Sequence, residues 1–152
     1  MSTEVTEPAD LLALERQVCF ALAIASRSVI GLYRPILEPM GLTHPQYLVM
    51  LALWQRQPLS VKELGELLRL DPGTLSPLLK RLEASGLVRR ARHEADERQL
   101  AVTLTKQGAA LRRKALRIPP AIMARLGMDL GELQRLHATL MQVIEAAETE
   151  PA

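Results

Sequence analysis

A mainly α-helical fold with one small β-hairpin is predicted by three features of the chain. Apolar residues make up 48% of the 152 but aromatics only 3%, so the core must be built from Leu, Val, Ile, Ala and Met, a helix-favouring set. Apolar positions recur at helical spacing along most of the length. Only between about residues 87 and 104 does the period fall to two, in two runs flanking a charged tip. A chain of this length is expected to form one domain, 1–152, whose core needs neither metal nor disulfide.

The first helix is predicted from Leu11 to Leu37, with Leu11, Leu14, Val18, Leu22, Ala25, Val29, Leu32 and Ile36 on one stripe. Cys19, Phe20, Ile24, Ile30 and Tyr33 widen that stripe beyond a single face. A helix so broadly apolar has to be covered on several sides, which one subunit of this size hardly achieves; a partner subunit is expected. Pro35 and Pro39 make its end irregular, and Gly41 breaks it. Thr43-His44-Pro45-Gln46 then opens a helix, with a capping Thr, Pro in the first turn and Gln three residues on. That helix runs through Tyr47, Leu51 and Trp54 to about Arg56.

Ser60-Val61-Lys62-Glu63 is a second capping box, starting a short helix that turns Leu64, Leu67 and Leu68 inward. After a turn at Leu70, Asp71-Pro72-Gly73-Thr74 opens another, with Leu75, Leu78, Leu79 and Leu82 buried and Ser85-Gly86 as its end. Pro77 falls early in that helix and removes one backbone hydrogen bond. Residues 87–92 and 98–104 are the strands, and His93–Glu97 the tip. Thr105 caps a helix with Leu111, Ala115 and Leu116 inward, up to Pro119-Pro120. Asp129-Leu130-Gly131-Glu132 caps the last, carrying Leu133, Leu136, Leu140, Val143 and Ile144; beyond about Ala147 a structureless tail is expected.

Composition narrows the function. The net charge is +2, but residues 62–117 hold 13 Lys/Arg against 7 Asp/Glu, and the rest holds 6 against 10. A basic middle between acidic ends suits a polyanion, although a solvated face would look the same. The single cysteine, Cys19, excludes an internal disulfide and fits a reducing cytoplasm. Arg27 and Arg34 interrupt the best apolar run short of the ~18 residues that span a bilayer, so no membrane association is expected. The opening MSTEVTEPAD is acidic and polar, unlike a secretory signal. His44, His93 and His137 are scattered, and there is no metal-ligand cluster, phosphate loop or catalytic triad, so neither a cofactor nor an enzyme is expected. A thiol peroxidase built on Cys19 is the weakest of the readings.

Short helix, tight turn, second helix and hairpin in that order make a winged helix-turn-helix, here placed at residues 45–104. Its second helix fits the major groove, where side chains reach base edges. Its N-terminal amides and positive dipole end favour phosphate oxygens. Outside the Leu stripe that helix offers Gly73, Thr74, Ser76, Lys80 and Arg81. Around the hairpin stand Arg89, Arg90, Arg92 and Arg98, suited to a narrow minor groove. Asp96, two residues before Arg98, can hold that guanidinium in one orientation; an ordinary exposed ion pair is the plain alternative.

The segment LSVKELGELLRLDPGTLSPLLKRLEASGLVRRARHEADERQLAVTLTKQG resembles the DNA-binding core of the MarR family of regulators, with Asp96-Glu97-Arg98 matching its D-x-R wing. The resemblance extends from about Leu11 to Ile144 and implies a homodimer whose first and last helices, 11–40 and 106–147, interdigitate. It also implies binding to a roughly palindromic double-stranded operator, usually as a repressor. Cys19-Phe20-Ala21-Leu22, Leu32-Tyr33-Arg34-Pro35 and Gly41-Leu42-Thr43-His44-Pro45-Gln46-Tyr47 are similar to the organic hydroperoxide resistance regulators within that family. The resemblance implies that organic hydroperoxides oxidise Cys19, that Tyr33 of the other subunit hydrogen-bonds it, and that oxidation releases DNA. Two positions depart from the group: Ala23 and His44 stand where it carries tyrosines. His44 either partners Cys19 or simply starts its helix.

Cys19 and Tyr33 lie 14 residues apart, roughly 20 Å along one straight helix, so they cannot touch within a chain unless the helix breaks sharply, whereas an antiparallel partner helix could bring them together. With no second cysteine, a sulfenic acid at Cys19 would be capped by a small-molecule thiol or a backbone nitrogen. The competing reading is a family member answering a small aromatic or anionic ligand bound between dimer helices and DNA-binding lobe, with Cys19 as packing.

Overall fold

The computed structural model describes residues 8–93 and 96–151. In chain order the elements are α1 (Pro8–Leu11), a 3₁₀ turn (Leu14–Arg16), α2 (Val18–Leu37), a 3₁₀ turn (Glu38–Met40), α3 (His44–Gln55), β1 (Leu59–Ser60) and α4 (Val61–Leu68). They continue with α5 (Pro72–Ala84), β2 (Val88–His93), β3 (Asp96–Leu104), α6 (Lys106–Ala115), α7 (Ile118–Leu126) and α8 (Leu130–Glu148). The mainly helical class with a small antiparallel sheet is as expected.

Three differences have identifiable causes. The predicted helix from Leu11 is interrupted: Gln17 adopts an extended backbone and its side-chain amide donates back to the carbonyls of Leu11 and Ala13, so the start of the chain forms a separate arm. The sheet has a third strand, β1, which pairs with β3 through Leu59 opposite Val102 and Ser60 opposite Ala101. Pro119 and Pro120 do not end a helix; they occupy the first turn of α7, where a missing N–H costs nothing. α8 ends at Glu148, close to the expected Ala147, and Glu148 pairs with Arg69 at 2.6 Å.

The core lies in the middle of the chain. Leu53, Leu64, Leu75, Leu79, Leu82, Val88 and Val102 are buried between α3, α4, α5 and the sheet, and Ile118 and Ile122 of α7 close it beside Leu37. α6 is locked to the base of the wing at Gly108. Its amide donates to the capping Thr105 Oγ1, its carbonyl accepts from Trp54 Nε1 at 2.9 Å, and a Cβ there would overlap the Leu87 carbonyl oxygen.

The long outer helices are a different case. Of α2's 20 residues only Leu37 is buried, and α8 buries none. Ile24, Ile30, Leu136 and Val143 remain about two-fifths exposed. Val18–Met40 is apolar enough, by length and composition, to cross a membrane, with a mean hydropathy of 1.3; Arg27 and Arg34 do not break it as expected. Apolar faces this large and contiguous mark an interaction surface.

Candidate nucleic-acid interface and thiol site

The helix-turn-helix is assembled from local chemistry. Ser60 and Glu63 cap α4 reciprocally, at 3.0 and 3.2 Å. Arg69 ends α4 in the left-handed conformation (φ 53°), and the Leu70 amide closes on the Gly65 carbonyl. That turn aims α5. Leu75, Leu78, Leu79 and Leu82 are buried, which leaves Gly73, Thr74, Lys80 and Arg81 exposed and Ser76 half-buried on the outer side. The five residues expected to face a groove therefore stand clear of the buried Leu stripe.

The helix start is less open to phosphate than its dipole suggests. Asp71 is the N-cap, and its Oδ1 accepts the Thr74 amide at 2.8 Å. Pro72 has no amide to offer, so a carboxylate already sits where an anion would bind.

In the hairpin, β2 and β3 pair in register from Val88 opposite Leu104 to Arg92 opposite Leu100, with an irregularity before His93 pairs with Asp96. The strands therefore extend to His93 and Asp96, which were expected in the tip. Arg89 and Arg92 are exposed. Arg90 is not free: Glu83 at the end of α5 accepts its backbone amide at 3.0 Å and lies 3.5 Å from its Nε. This pair ties the wing to α5. The side chains of Asp96 and Arg98 lie outside the described residues.

Cys19 is exposed, in the first turn of α2. Tyr33 lies on the same continuous helix, so the two are not brought together within one chain. Tyr33 and His44 are brought together: their rings meet edge-on with centroids 5.1 Å apart. Sequence reasoning missed the rest of that cluster. Tyr47 lies 5.9 Å from Tyr33 and 6.5 Å from His44, and Trp54 lies 6.5 Å from Tyr47. The seven-residue spacing of Tyr47 and Trp54 on α3, in a chain with so few aromatics, was the available signal.

Burial pushes the Tyr33 phenol up, and it pushes the Tyr47 phenol up with Tyr33 adding to the effect. It pushes the His44 imidazole below its ordinary 6.5. At neutral pH the cluster thus holds two O–H donors and a neutral imidazole, an uncharged polar wall beside an apolar helix.

These features define a winged-helix DNA-binding regulator, and the chain belongs to the MarR family. The family's own model matches residues 42–100. Over 138 residues the chain is 44% identical to the organic hydroperoxide resistance transcriptional regulator of Bacillus subtilis, covering 89% of this chain and 94% of that one. Among solved structures it is similar to AbfR of Staphylococcus epidermidis. Reduced AbfR bound to DNA aligns with a TM-score of 0.74 at 33% identity, over 93% of this chain and 99% of that one. Overoxidised AbfR bound to DNA aligns at 0.73 and 34%, over 91% and 98%.

Proposed function

We propose that the chain is a homodimeric, cytoplasmic repressor that releases a pseudo-palindromic operator when an organic hydroperoxide oxidises Cys19. The observation that carries the reading is the placement of Cys19. The cysteine is exposed on an apolar helix that its own chain leaves uncovered, and Tyr33 stands 14 residues along it in a ring cluster at the opposite end. Residues 11–40 and 106–147 form the dimer, and 45–104 form the DNA-binding lobe. Antiparallel pairing of α2 with its copy sets Cys19 of one subunit at Tyr33 of the other.

In the chemical step the Cys19 thiolate attacks one peroxide oxygen. An S–O bond forms, the O–O bond breaks, sulfur is oxidised to sulfenic acid, and the peroxide leaves as the alcohol after taking the thiol proton. Tyr33, held protonated by burial, donates to the sulfur, and neutral His44 stands beside it. The added oxygen, or a small thiol that condenses with it, wedges packed helices apart and changes the separation of the two α5 helices. Gly73, Thr74, Ser76, Lys80 and Arg81 read the major groove, while Arg89, Arg92 and Arg98, oriented by Asp96, meet the minor groove. Arg90 contributes by holding the wing to α5. The reaction is stoichiometric sensing rather than turnover.

The test is an operator gel shift of wild type and Cys19→Ser, reduced or treated with cumene hydroperoxide. Wild type is expected to lose DNA on oxidation and regain it with dithiothreitol, while Cys19→Ser stays bound. Release of the serine variant by peroxide would return Cys19 to packing and leave a ligand-responsive regulator.

A further inference from the structure

Four rings form a row along one side of α3. His44 stands at its first position, Tyr47 three residues on and Trp54 seven beyond that, with Tyr33 of α2 laid against the first two. Tyr33 meets Tyr47 at 5.9 Å and Tyr47 meets Trp54 edge-on at 6.5 Å, so contact runs unbroken from one end of the helix to the other. From His44 to Trp54 the row climbs about 15 Å, at ~1.5 Å per residue.

The far end of the row is tied to the wing. Trp54 Nε1 donates to the Gly108 carbonyl at 2.9 Å, across 54 positions of sequence. Gly108 belongs to a knot in which α5 and both strands of the wing are joined. Its amide donates to Thr105 Oγ1 at 3.0 Å, and the Thr105 hydroxyl donates in turn to the Gly86 carbonyl just past α5. The Thr105 amide donates to the Leu87 carbonyl at the start of β2, and Gly108 lies so close to Leu87 that no Cβ fits between them. Gln57, beyond the end of α3, accepts the Leu104 amide of β3 at 2.8 Å and steadies the same corner. Half-buried Trp54 belongs both to the ring row and to the knot.

We infer that Trp54 is a positioning residue for operator binding: its indole sets the wing and the end of α5 relative to α3, and passes to them a displacement of the Tyr33 ring. Phe would fill much of the same space, but it has no N–H to hold the Gly108 carbonyl. Close-packed rings take discrete arrangements rather than a continuum, so a shift at Tyr33 is handed along the row instead of being absorbed. The operator half of this role rests on the geometry alone. The peroxide half rests on the proposed function, in which oxidation of Cys19 disturbs Tyr33 of the other subunit.

Trp54 is the sole tryptophan of the chain, so its own fluorescence reports on this position without a label. In the intact reduced protein, operator DNA is expected to change the Trp54 emission maximum. Cumene hydroperoxide is expected to change it in wild type and not in Cys19→Ser. Trp54→Phe keeps a ring and drops the donor. With its helix content confirmed by circular dichroism, it is expected to bind the operator about ten-fold more weakly, the upper end for one hydrogen bond, and to lose less of its remaining affinity on oxidation. A Trp54→Phe variant that melts earlier but binds the operator like wild type overturns the proposal, because the indole would then be packing. Should that variant not fold, an emission maximum in wild type that operator DNA leaves unchanged overturns it instead. If peroxide leaves wild type on its DNA, the sensing reading fails, and the positioning role still stands or falls on the operator affinity of Trp54→Phe. If peroxide releases wild type with no change in Trp54 emission, sensing stands and the transmission from Tyr33 is overturned.

Discussion

His44 is the residue whose environment most constrains the chemistry of the thiol site. It sits at the first position of α3, against the edge of Tyr33, and burial holds its imidazole below the ordinary value. A cation at a helix N-terminus opposes the dipole, which acts in the same direction. His44 is therefore a neutral imidazole at pH 7 rather than a cation. The sign of the linkage follows. The unfolded chain takes up this proton first as pH falls, so the contribution of neutral His44 is present above about pH 6.5 and is lost as pH drops through the lower folded value. Denaturant titrations between pH 7.5 and 5 should show wild type losing more stability than His44→Gln. Equal losses would mean that the imidazole is solvated like a free histidine. The residue type at this position was visible in the sequence, but its protonation state was not, because Tyr33 reaches it only through the packing of α2 on α3.

At the scale of elements, what was legible followed from chemistry within four residues. The three capping boxes at Thr43, Ser60 and Asp129, the Asp71 and Thr105 caps and the Gly86 stop are local, and each formed where its side chains predicted. What was not legible depends on distant partners. Leu59-Ser60 is a strand only because β3 pairs with it, and Pro119-Pro120 could close one helix or open the next until α7 found its place beside Leu37. That Gly73, Thr74, Lys80 and Arg81 lie outside the buried face was legible from the Leu stripe on α5, whereas the Glu83–Arg90 tie joins two elements and was not. Two substitutions test these elements. Asp71→Asn keeps a side chain that caps equally well, so stability should change by no more than a few tenths of a kcal/mol. Removing its negative charge should strengthen operator binding in a gel shift run at several salt concentrations, and unchanged binding would show that Asp71 faces away from DNA. Gly108→Ala forces α6 off the Leu87 carbonyl and should cost about 1–3 kcal/mol in urea unfolding. No loss would mean that the base of the wing yields freely.

At the scale of the molecule, the buried core and the exposed apolar surface belong to different parts of the chain. The core that folds the subunit lies in α3–α5, the sheet and α7, and it takes from α2 only Leu37 and the partly buried Leu32, Tyr33 and Ile36. Ile24 and Leu136 take no part in it, and both stay about two-fifths exposed. Folding and dimerisation are thus separable. A carboxylate on the middle of α2 would face water in the monomer at little cost, but in a dimer it would be buried against apolar side chains, a penalty of several kcal/mol. Operator recognition depends on the dimer, because two α5 helices must enter major grooves about one turn, near 34 Å, apart. A single lobe retains only its own contacts. Ile24→Glu should therefore sediment as a monomer, keep the helix content and a cooperative melt of the folded lobe, and bind the operator no better than unrelated DNA. A variant that stays dimeric would place the interface elsewhere on the molecule. A variant that unfolds would show that the lobe cannot stand without its partner, in which case the apolar face of α2 belongs to the folding core after all.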